Sequence, residues 1–135
     1  RKLWQRKMKR NKINEIKKDF GFLEDRIVKG EVDSVLLYGS YAKNQQTARS
    51  DIDICIVAPK LKTPSQFSEL LGYIWQNTDA NKYDIRIFEA LPLYIKMDII
   101  KKHIVIISIN IQDLYYYFYK FRKIWNDQSV NWIEA

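Results

Sequence analysis

Two short apolar segments joined by a polar one constrain the fold of this chain more than any other feature. Val35 to Tyr38 is an uninterrupted apolar run that ends at Gly39-Ser40, and such a run is typical of a buried strand. The polar interval after it predicts a turn with a short helix. From Asp51 to Val57 isoleucine alternates with other residues, which predicts a second strand with its two aspartates on one face. The chain is therefore expected to build a β-sheet.

Apolar residues at helical spacing occupy most of the remaining chain. Steps of three and four from Ile13 to Ile27 predict a first helix that ends near Gly30. Further helices are predicted at 65–76, 92–100 and 111–126, and further strands at 83–88 and 103–108. This order predicts an α+β (α/β) fold, a small mixed β-sheet with helices packed mainly on one face.

Length and composition indicate one globular domain. A chain of 135 residues lies within the usual single-domain size of about 100–200 residues, so residues 1–135 are expected to form one domain, with a basic arm at 1–10 and a functional core at 11–126. The single cysteine, Cys55, excludes an internal disulfide and a cysteine-based zinc cluster. No apolar run approaches the roughly 18 residues that span a bilayer, so we expect a cytoplasmic protein without a membrane partner.

The net charge of +7 is concentrated at one end of the chain. Residues 1–18 hold nine Lys and Arg and a single acid, Glu15, so the remainder is close to neutral. Such an arm can meet nucleic acid, an acidic protein or the phosphates of a nucleotide. A solvated helix face is the plainer interpretation.

Three aspartates lie where strands can bring them together. Asp51 and Asp53 point to the same side of one strand, and Asp84 reaches that face if its own strand pairs beside it. Convergent carboxylates repel each other unless a cation neutralises them, and oxygen ligands select Mg²⁺ or Mn²⁺ over zinc. Two such ions can clamp the attacking and leaving oxygens of a phosphoryl displacement. The acids therefore predict a two-ion Mg²⁺ site, with Mn²⁺ as the alternative.

The turn before the Asp-x-Asp strand has the features of a phosphate site. Gly39 allows the backbone to approach a phosphate closely, the Ser40 hydroxyl can donate to a phosphate oxygen, and the following helix N-terminus offers free N–H groups. Lys43 is one turn further on, where it can point to a triphosphate. Lys43 and Arg49 could each contact a phosphate, or each could be an ordinary solvated side chain.

Taken together, these residues resemble a known signature. Leu37-Tyr38-Gly39-Ser40, followed after ten residues by Asp51-Ile52-Asp53, looks like the Gly-Ser-x₁₀-Asp-x-Asp pattern of the DNA polymerase beta nucleotidyltransferase superfamily. The short chain and the later stretches Tyr83-Asp84-Ile85-Arg86 and Ala90-Leu91-Pro92 resemble its minimal nucleotidyltransferase (MNT) branch. The resemblance covers roughly residues 32–125.

The resemblance implies roles for individual residues. Gly39 and Ser40 would bind the phosphates of the nucleotide, and Asp51, Asp53 and Asp84 would hold the metal ions. Many relatives have an arginine where this chain has Lys43, and lysine keeps the charge but lacks the bidentate fork of arginine.

The resemblance also implies a biological setting. Many MNT proteins are antitoxins encoded beside HEPN-type toxins, and members of that group add AMP from ATP to a toxin tyrosine. The expected activity is a Mg²⁺-dependent nucleotidyltransferase of the protein adenylyltransferase type, with ATP or another nucleoside triphosphate as donor and a HEPN-type toxin as partner. A non-catalytic antitoxin that neutralises its toxin by contact and a basic nucleic-acid-binding module are the alternatives.

Four further features have less specific interpretations. Arg86 shares a strand face with Asp84 and is expected to form a structural ion pair, while Cys55 is expected to be a buried apolar residue. The single histidine, His103, lacks the partners of a catalytic triad or a zinc site. Five aromatic residues at 115–119 circle a predicted helix, so some of them must be outside the core. A homo-oligomer contact, a toxin-docking surface and partly exposed packing all remain open for them.

Overall fold

The fold contains five helices and four strands in the part of the chain described by the computed structural model, which is residues 2–43, 45 and 51–134. The helices are α1 (Lys2–Asp19), α2 (Glu24–Val28), α3 (Pro64–Asn77), α4 (Leu93–Lys101) and α5 (Ile111–Glu134). The strands are β1 (Ser34–Tyr38), β2 (Ile52–Val57), β3 (Tyr83–Ile87) and β4 (Ile104–Ser108). Arg49 and most of the predicted short helix after Ser40 lie outside the described residues.

The four strands form one mixed sheet with the order β3-β2-β1-β4. β1 is antiparallel to both of its neighbours, whereas β2 and β3 are parallel. A parallel pair needs a crossover connection, and α3 provides it. The C-terminal end of β1 consequently meets the N-terminal ends of β2 and β3 at one end of the sheet.

Helices cover both faces of the sheet. Alternate strand residues such as Leu37 and Ile54 pack against α1, α2 and α3, whose buried side chains include Ile16 and Ile74. Their neighbours on the opposite face, including Leu36, pack against α4 and α5. The mixed sheet is confirmed, but the expectation of helices mainly on one face is corrected, because both residue sets of the central strands are apolar and each must be buried.

The predicted first helix is interrupted. A 3₁₀ turn at Gly21–Leu23 separates α1 from α2, although the apolar spacing continues through it. Phe20, which precedes the turn, and Leu23, which ends it, are both fully buried. Glycine is a poor helix former, which accounts for a break at Gly21, and the side chains of Phe20 and Leu23 stay in the core.

The boundaries of the other helices follow their capping residues. The Thr63 side chain accepts a hydrogen bond from the backbone N–H of Gln66, and the Gln66 side chain accepts one from the N–H of Thr63, a reciprocal pair that starts α3 with Pro64 at its first position. Pro92 precedes α4 directly. No described helix is both long enough and apolar enough to cross a membrane.

Candidate functional site

The strand register brings two of the predicted acids side by side. Tyr38 at the end of β1 pairs with Asp53 on β2, and Asp53 in turn pairs with Asp84 on the parallel strand β3. Residues paired across neighbouring strands point to the same face, which here is the face of the sheet that α4 and α5 cover further along. The structure therefore places Asp53 and Asp84 on one face at one end of the sheet, as the sequence predicted.

The two carboxyl groups influence each other directly. Burial raises the pKa of Asp53, and the charge of Asp84 and a hydrogen bond between the two side chains raise that pKa further. Asp53 and Asp84 are both half-buried. An arrangement of this kind favours any cation that can lie between the carboxylates.

Asp51 is less closely associated with this pair. It immediately precedes β2 and is exposed, and its charge also contributes to the raised pKa of Asp53. Within the described ranges, no three His, Cys, Asp or Glu side chains are grouped closely enough to hold an ion. The structure thus brings Asp53 and Asp84 together and leaves Asp51 on the solvent side of them.

Gly39 forms the wall of the site next to Asp53. Its φ of +71° lies in the region that favours glycine. A Cβ atom at this position would overlap the Oδ2 atom of Asp53 and lie 3.0 Å from its Cγ atom. The backbone of Gly39 is therefore packed against the Asp53 carboxylate, and its predicted close approach to a phosphate stays a prediction.

Ser40 and Lys43 follow in a hydrogen-bonded turn. The backbone N–H of Lys43 donates to the carbonyl of Gly39 over 3.2 Å, and that of Gln45 donates to the carbonyl of Ser40 over 2.8 Å. Ser40 is half-buried, and the side chain of Lys43 is exposed. Both residues thus lie within five positions of Gly39, and Lys43 is accessible to a solvent-borne ligand.

Two further side chains border the acids. The Nη2 atom of Arg86 is 3.8 Å from the Oδ2 atom of Asp84, with both side chains nearly half exposed, so the expected ion pair is present but loose. The Tyr38 phenol lies on the same face, and its pKa is raised first by burial and then by the charges of Cys55 and Asp53. Tyr38 was not among the site residues predicted from the sequence, although strand alternation from Leu36 indicates its face.

The remaining candidates have structural roles. His103 makes a 2.8 Å hydrogen bond through Nδ1 to the carbonyl of Ile99 and packs edge-on against Phe118. Cys55 is fully buried, and burial raises the pKa of its thiol. In the aromatic run on α5, Phe118 is buried, Tyr117 is half-buried, and the remaining three members are exposed: Tyr115, Tyr116 and Tyr119.

The chain matches a protein family and a curated relative. Residues 22–112 match the family model described as "Polymerase beta, Nucleotidyltransferase". The chain is 56% identical over 99 residues to MJ1547 of Methanocaldococcus jannaschii, which bears the provisional name of protein adenylyltransferase. This match covers 73% of the chain and 74% of that relative.

Solved structures show the same fold at low sequence identity. A crystal structure of a toxin–antitoxin with AMP-PNP matches with a TM-score of 0.57 and 17% identity, over 80% of this chain and 90% of the other. A tri-AMPylated Shewanella oneidensis HEPN toxin in complex with an MNT antitoxin contains a chain that matches with a TM-score of 0.52 and 15% identity, over 82% and 90% of the two chains. At these identities the likeness concerns the fold.

Proposed function

Because this chain belongs to the polymerase beta nucleotidyltransferase family, we propose that it transfers AMP from ATP to a hydroxyl group of a partner protein, a tyrosine of a HEPN-type toxin, and so acts as an antitoxin. The observation that carries the proposal is the Asp53–Asp84 pair packed beside the glycine bend at one end of the sheet. This geometry joins a carboxylate pair to a backbone that can approach a phosphate closely.

The residues fit a divalent cation such as Mg²⁺. The donor set is carboxylate oxygen only, which suits hard ions. The pKa of Asp53 is raised first by burial and then by the charge of Asp84, so a cation between the two carboxylates would favour the ionised form of Asp53. Asp53 and Asp84 would hold the ion, with Asp51 completing the set from the solvent side. When bound, such ions stabilise the negative charge that develops at the transferred phosphoryl group.

The other residues of the site would position the nucleotide. The β- and γ-phosphates would be held by the backbone of Gly39, the hydroxyl of Ser40 and the ammonium group of Lys43. Gly39 forms the bend that packs on Asp53, and the other two residues follow it in the same turn. The α-phosphate would then face the carboxylates. The acceptor oxygen forms a bond to the α-phosphorus, the bond from that phosphorus to the bridging oxygen breaks, and pyrophosphate leaves. Asp84 would accept the proton of the acceptor hydroxyl.

A protein acceptor is favoured by the relatives and by the openness of the site. The relative MJ1547 carries the name of a protein adenylyltransferase, and one structural neighbour is described as an antitoxin bound to a tri-AMPylated HEPN toxin. Asp51, Asp84 and Arg86 are each at least partly exposed. A partner that brings its own folded surface could therefore present a tyrosine to them.

Substitution of single carboxylates tests the proposal. We would incubate the chain with labelled ATP, Mg²⁺ and a HEPN-type protein from the neighbouring reading frame, and measure AMP incorporation by autoradiography and intact mass. Asp53→Asn and Asp84→Asn should each lower incorporation by at least about 10²-fold, since each removes a charge from the reacting centre. Asp98→Asn, at an exposed position on α4, is the matched control and should retain full activity.

Toxin neutralisation separates catalysis from contact. If Asp53→Asn still forms the complex but no longer protects cells from the toxin, AMP transfer is the biological activity. If the variant protects fully, the protein neutralises by contact, and the proposed function is wrong.

A further inference from the structure

The N-terminal helix α1 consists of an anchored half and a free half. In the anchored half Ile16 is fully buried, Asp19 accepts a 2.9 Å hydrogen bond from Lys82 and another from the Tyr83 hydroxyl, and Glu15 also pairs with Lys82. In the free half, from Lys2 to Asn11, every side chain is exposed except the half-buried Lys9. Packing against the sheet and its core therefore does not account for the choice of side chains in the free half.

The charges of the free half lack partners within the described residues. Lys12 pairs with Glu15 over 3.5 Å. The five basic residues before it make no ion pair with any carboxylate that the structure describes: Lys2, Arg6, Lys7, Lys9 and Arg10. No acid occurs between positions 2 and 14, so an ordinary mixed-charge helix surface is not present here.

The helical geometry arranges these cations as a stripe. At 3.6 residues per turn, Lys2, Arg6, Lys9 and Arg10 fall within a sector of about 100°, which we call the basic stripe. Lys7 and Lys12 flank this sector at about 60° on either side. The buried Ile16 lies about 20° beyond the Lys9 edge of this sector, so the cations adjoin the side of α1 that is apolar where the helix contacts the core.

We propose that the basic stripe binds duplex DNA, with the free half of α1 lying in the major groove. The major groove of B-DNA is about 12 Å wide and admits an α-helix between two phosphate backbones. Cations on the stripe and on both of its flanks match negative charge on both sides of the helix. The major groove of A-form RNA is too deep and narrow for this arrangement.

A membrane surface matches the helix less well. Interfacial helices need a continuous apolar face opposite their charged face. Trp4 and Met8 lie on the side away from the stripe, but Leu3 falls between Arg10 and the flanking Lys7, on the cationic side of the helix. The exposed apolar residues of α1 therefore do not form one face.

The test compares two variants that lose the same charge at different places. Lys2→Gln, Arg6→Gln and Lys9→Gln are combined in the stripe variant. Lys120→Gln, Arg122→Gln and Lys123→Gln, all at exposed positions on α5, are combined in the matched control. Glutamine keeps the helix propensity of lysine and arginine, and circular dichroism with thermal unfolding verifies that both variants fold.

Binding would be measured by fluorescence anisotropy of a labelled DNA duplex at several salt concentrations. Four phosphate contacts should weaken wild-type binding roughly 100-fold between about 50 and 200 mM salt. The stripe variant should bind at least about tenfold more weakly, with the magnitude of its salt slope reduced by about 2.7. The α5 control should bind within about twofold of wild type, since its charges make no groove contact.

Three results would overturn the proposal. Equal weakening of both variants would mean that overall charge alone attracts DNA. Tighter binding to RNA of the same sequence, or to anionic phosphatidylglycerol vesicles, would assign the stripe to a different partner. Wild-type binding with no salt dependence would exclude phosphate contacts. Asp53→Asn should bind DNA like the wild type, so this outcome is independent of the proposed AMP transfer.

Discussion

The Tyr117 hydroxyl on α5 donates a 2.8 Å hydrogen bond to the Oε2 atom of Glu89, whose Oε1 atom accepts a 2.8 Å bond from the backbone N–H of Ala58. One carboxylate thus links α5 to the end of β2. Burial raises the pKa of Glu89, whereas these two hydrogen bonds lower it. The link lies at the end of β2 away from Asp53, so it concerns stability and not the chemistry of the site.

Removal of the Tyr117 hydroxyl should destabilise the fold. Tyr117→Phe keeps the ring, which packs edge-on against Phe121 at 5.0 Å, but it leaves Glu89 with one donor fewer. A hydrogen bond to a charged group contributes about 1.5–3 kcal/mol, and we expect a loss in the unfolding free energy near the lower end because Tyr117 is only half-buried. Urea unfolding measures this loss.

The neighbouring Tyr119 provides the control for this substitution. Tyr119 is 59% exposed, so Tyr119→Phe should change the unfolding free energy by less than about 0.5 kcal/mol. Equal effects of the two substitutions would show that the Tyr117–Glu89 bond does not stabilise the fold.

The raised pKa of Glu89 predicts a specific pH dependence of stability. Between its ordinary pKa of 4.5 and its raised value, the folded protein binds more protons at Glu89 than the unfolded chain does. The contribution of Glu89 to the unfolding free energy is therefore fully present below pH 4.5 and is lost as the pH rises through the folded pKa.

Glu89→Gln removes this titratable group. The difference in unfolding free energy between the wild type and the variant therefore isolates the contribution of Glu89 from those of the other groups. The stability advantage of the wild type over the variant should be largest near pH 4 and should shrink toward pH 8, approximate values that bracket the window. Urea unfolding of both proteins at several pH values gives the difference. A difference that is constant with pH, or that grows as the pH rises, would contradict the prediction.

The sequence predicted the acids more reliably than their neighbours. Alternation along β2 indicated the face of Asp53. The position of Gly39 directly after the apolar run of β1 indicated the bend, and both features depend on local geometry. The pairing of Asp53 with Asp84 depends on the register of two parallel strands that α3 separates in the chain. No local pattern sets that register, whereas the alternation from Leu36 along β1 was sufficient to indicate the face of Tyr38.

Packing explains the two differences in the helices. Phe20 and Leu23 are both buried at the break formed by Gly21–Leu23, so the apolar spacing continues although the helix does not. The second covered face of the sheet depends on Leu36 and Cys55. The pattern of apolar residues along the sequence does not reveal which helices will bury those two residues.

Gly39 should be intolerant of any side chain. Gly39→Ala places a methyl group on the Asp53 carboxylate and requires a φ of +71° that alanine rarely adopts. The strain should lower the unfolding free energy by about 1–2 kcal/mol, and the displaced carboxylate should reduce AMP transfer by at least about tenfold. Thermal unfolding and the labelled-ATP assay measure the two effects.

Gly72 on α3 is the matched glycine. A Cβ atom there would meet nothing within 4 Å, so Gly72→Ala should stabilise the protein by about 0.5–1 kcal/mol through helix propensity. Transfer activity should stay at the wild-type level. If Gly39→Ala is as active as Gly72→Ala, the close approach to Asp53 has no functional role.

The loose ion pair between Arg86 and Asp84 predicts competition with a bound cation. The guanidinium group, 3.8 Å from the Asp84 carboxylate, offsets part of the negative charge that a divalent ion would otherwise experience. Arg86→Gln should therefore tighten Mn²⁺ binding in the absence of nucleotide by a few-fold, roughly 0.5–1 kcal/mol, because both side chains are nearly half exposed and solvent screens the pair. Arg122→Gln, at an exposed position on α5, is the charge-matched control and should leave Mn²⁺ affinity unchanged. Isothermal titration calorimetry measures both, and weaker Mn²⁺ binding by Arg86→Gln would mean that Arg86 instead supports the metal-binding position of Asp84.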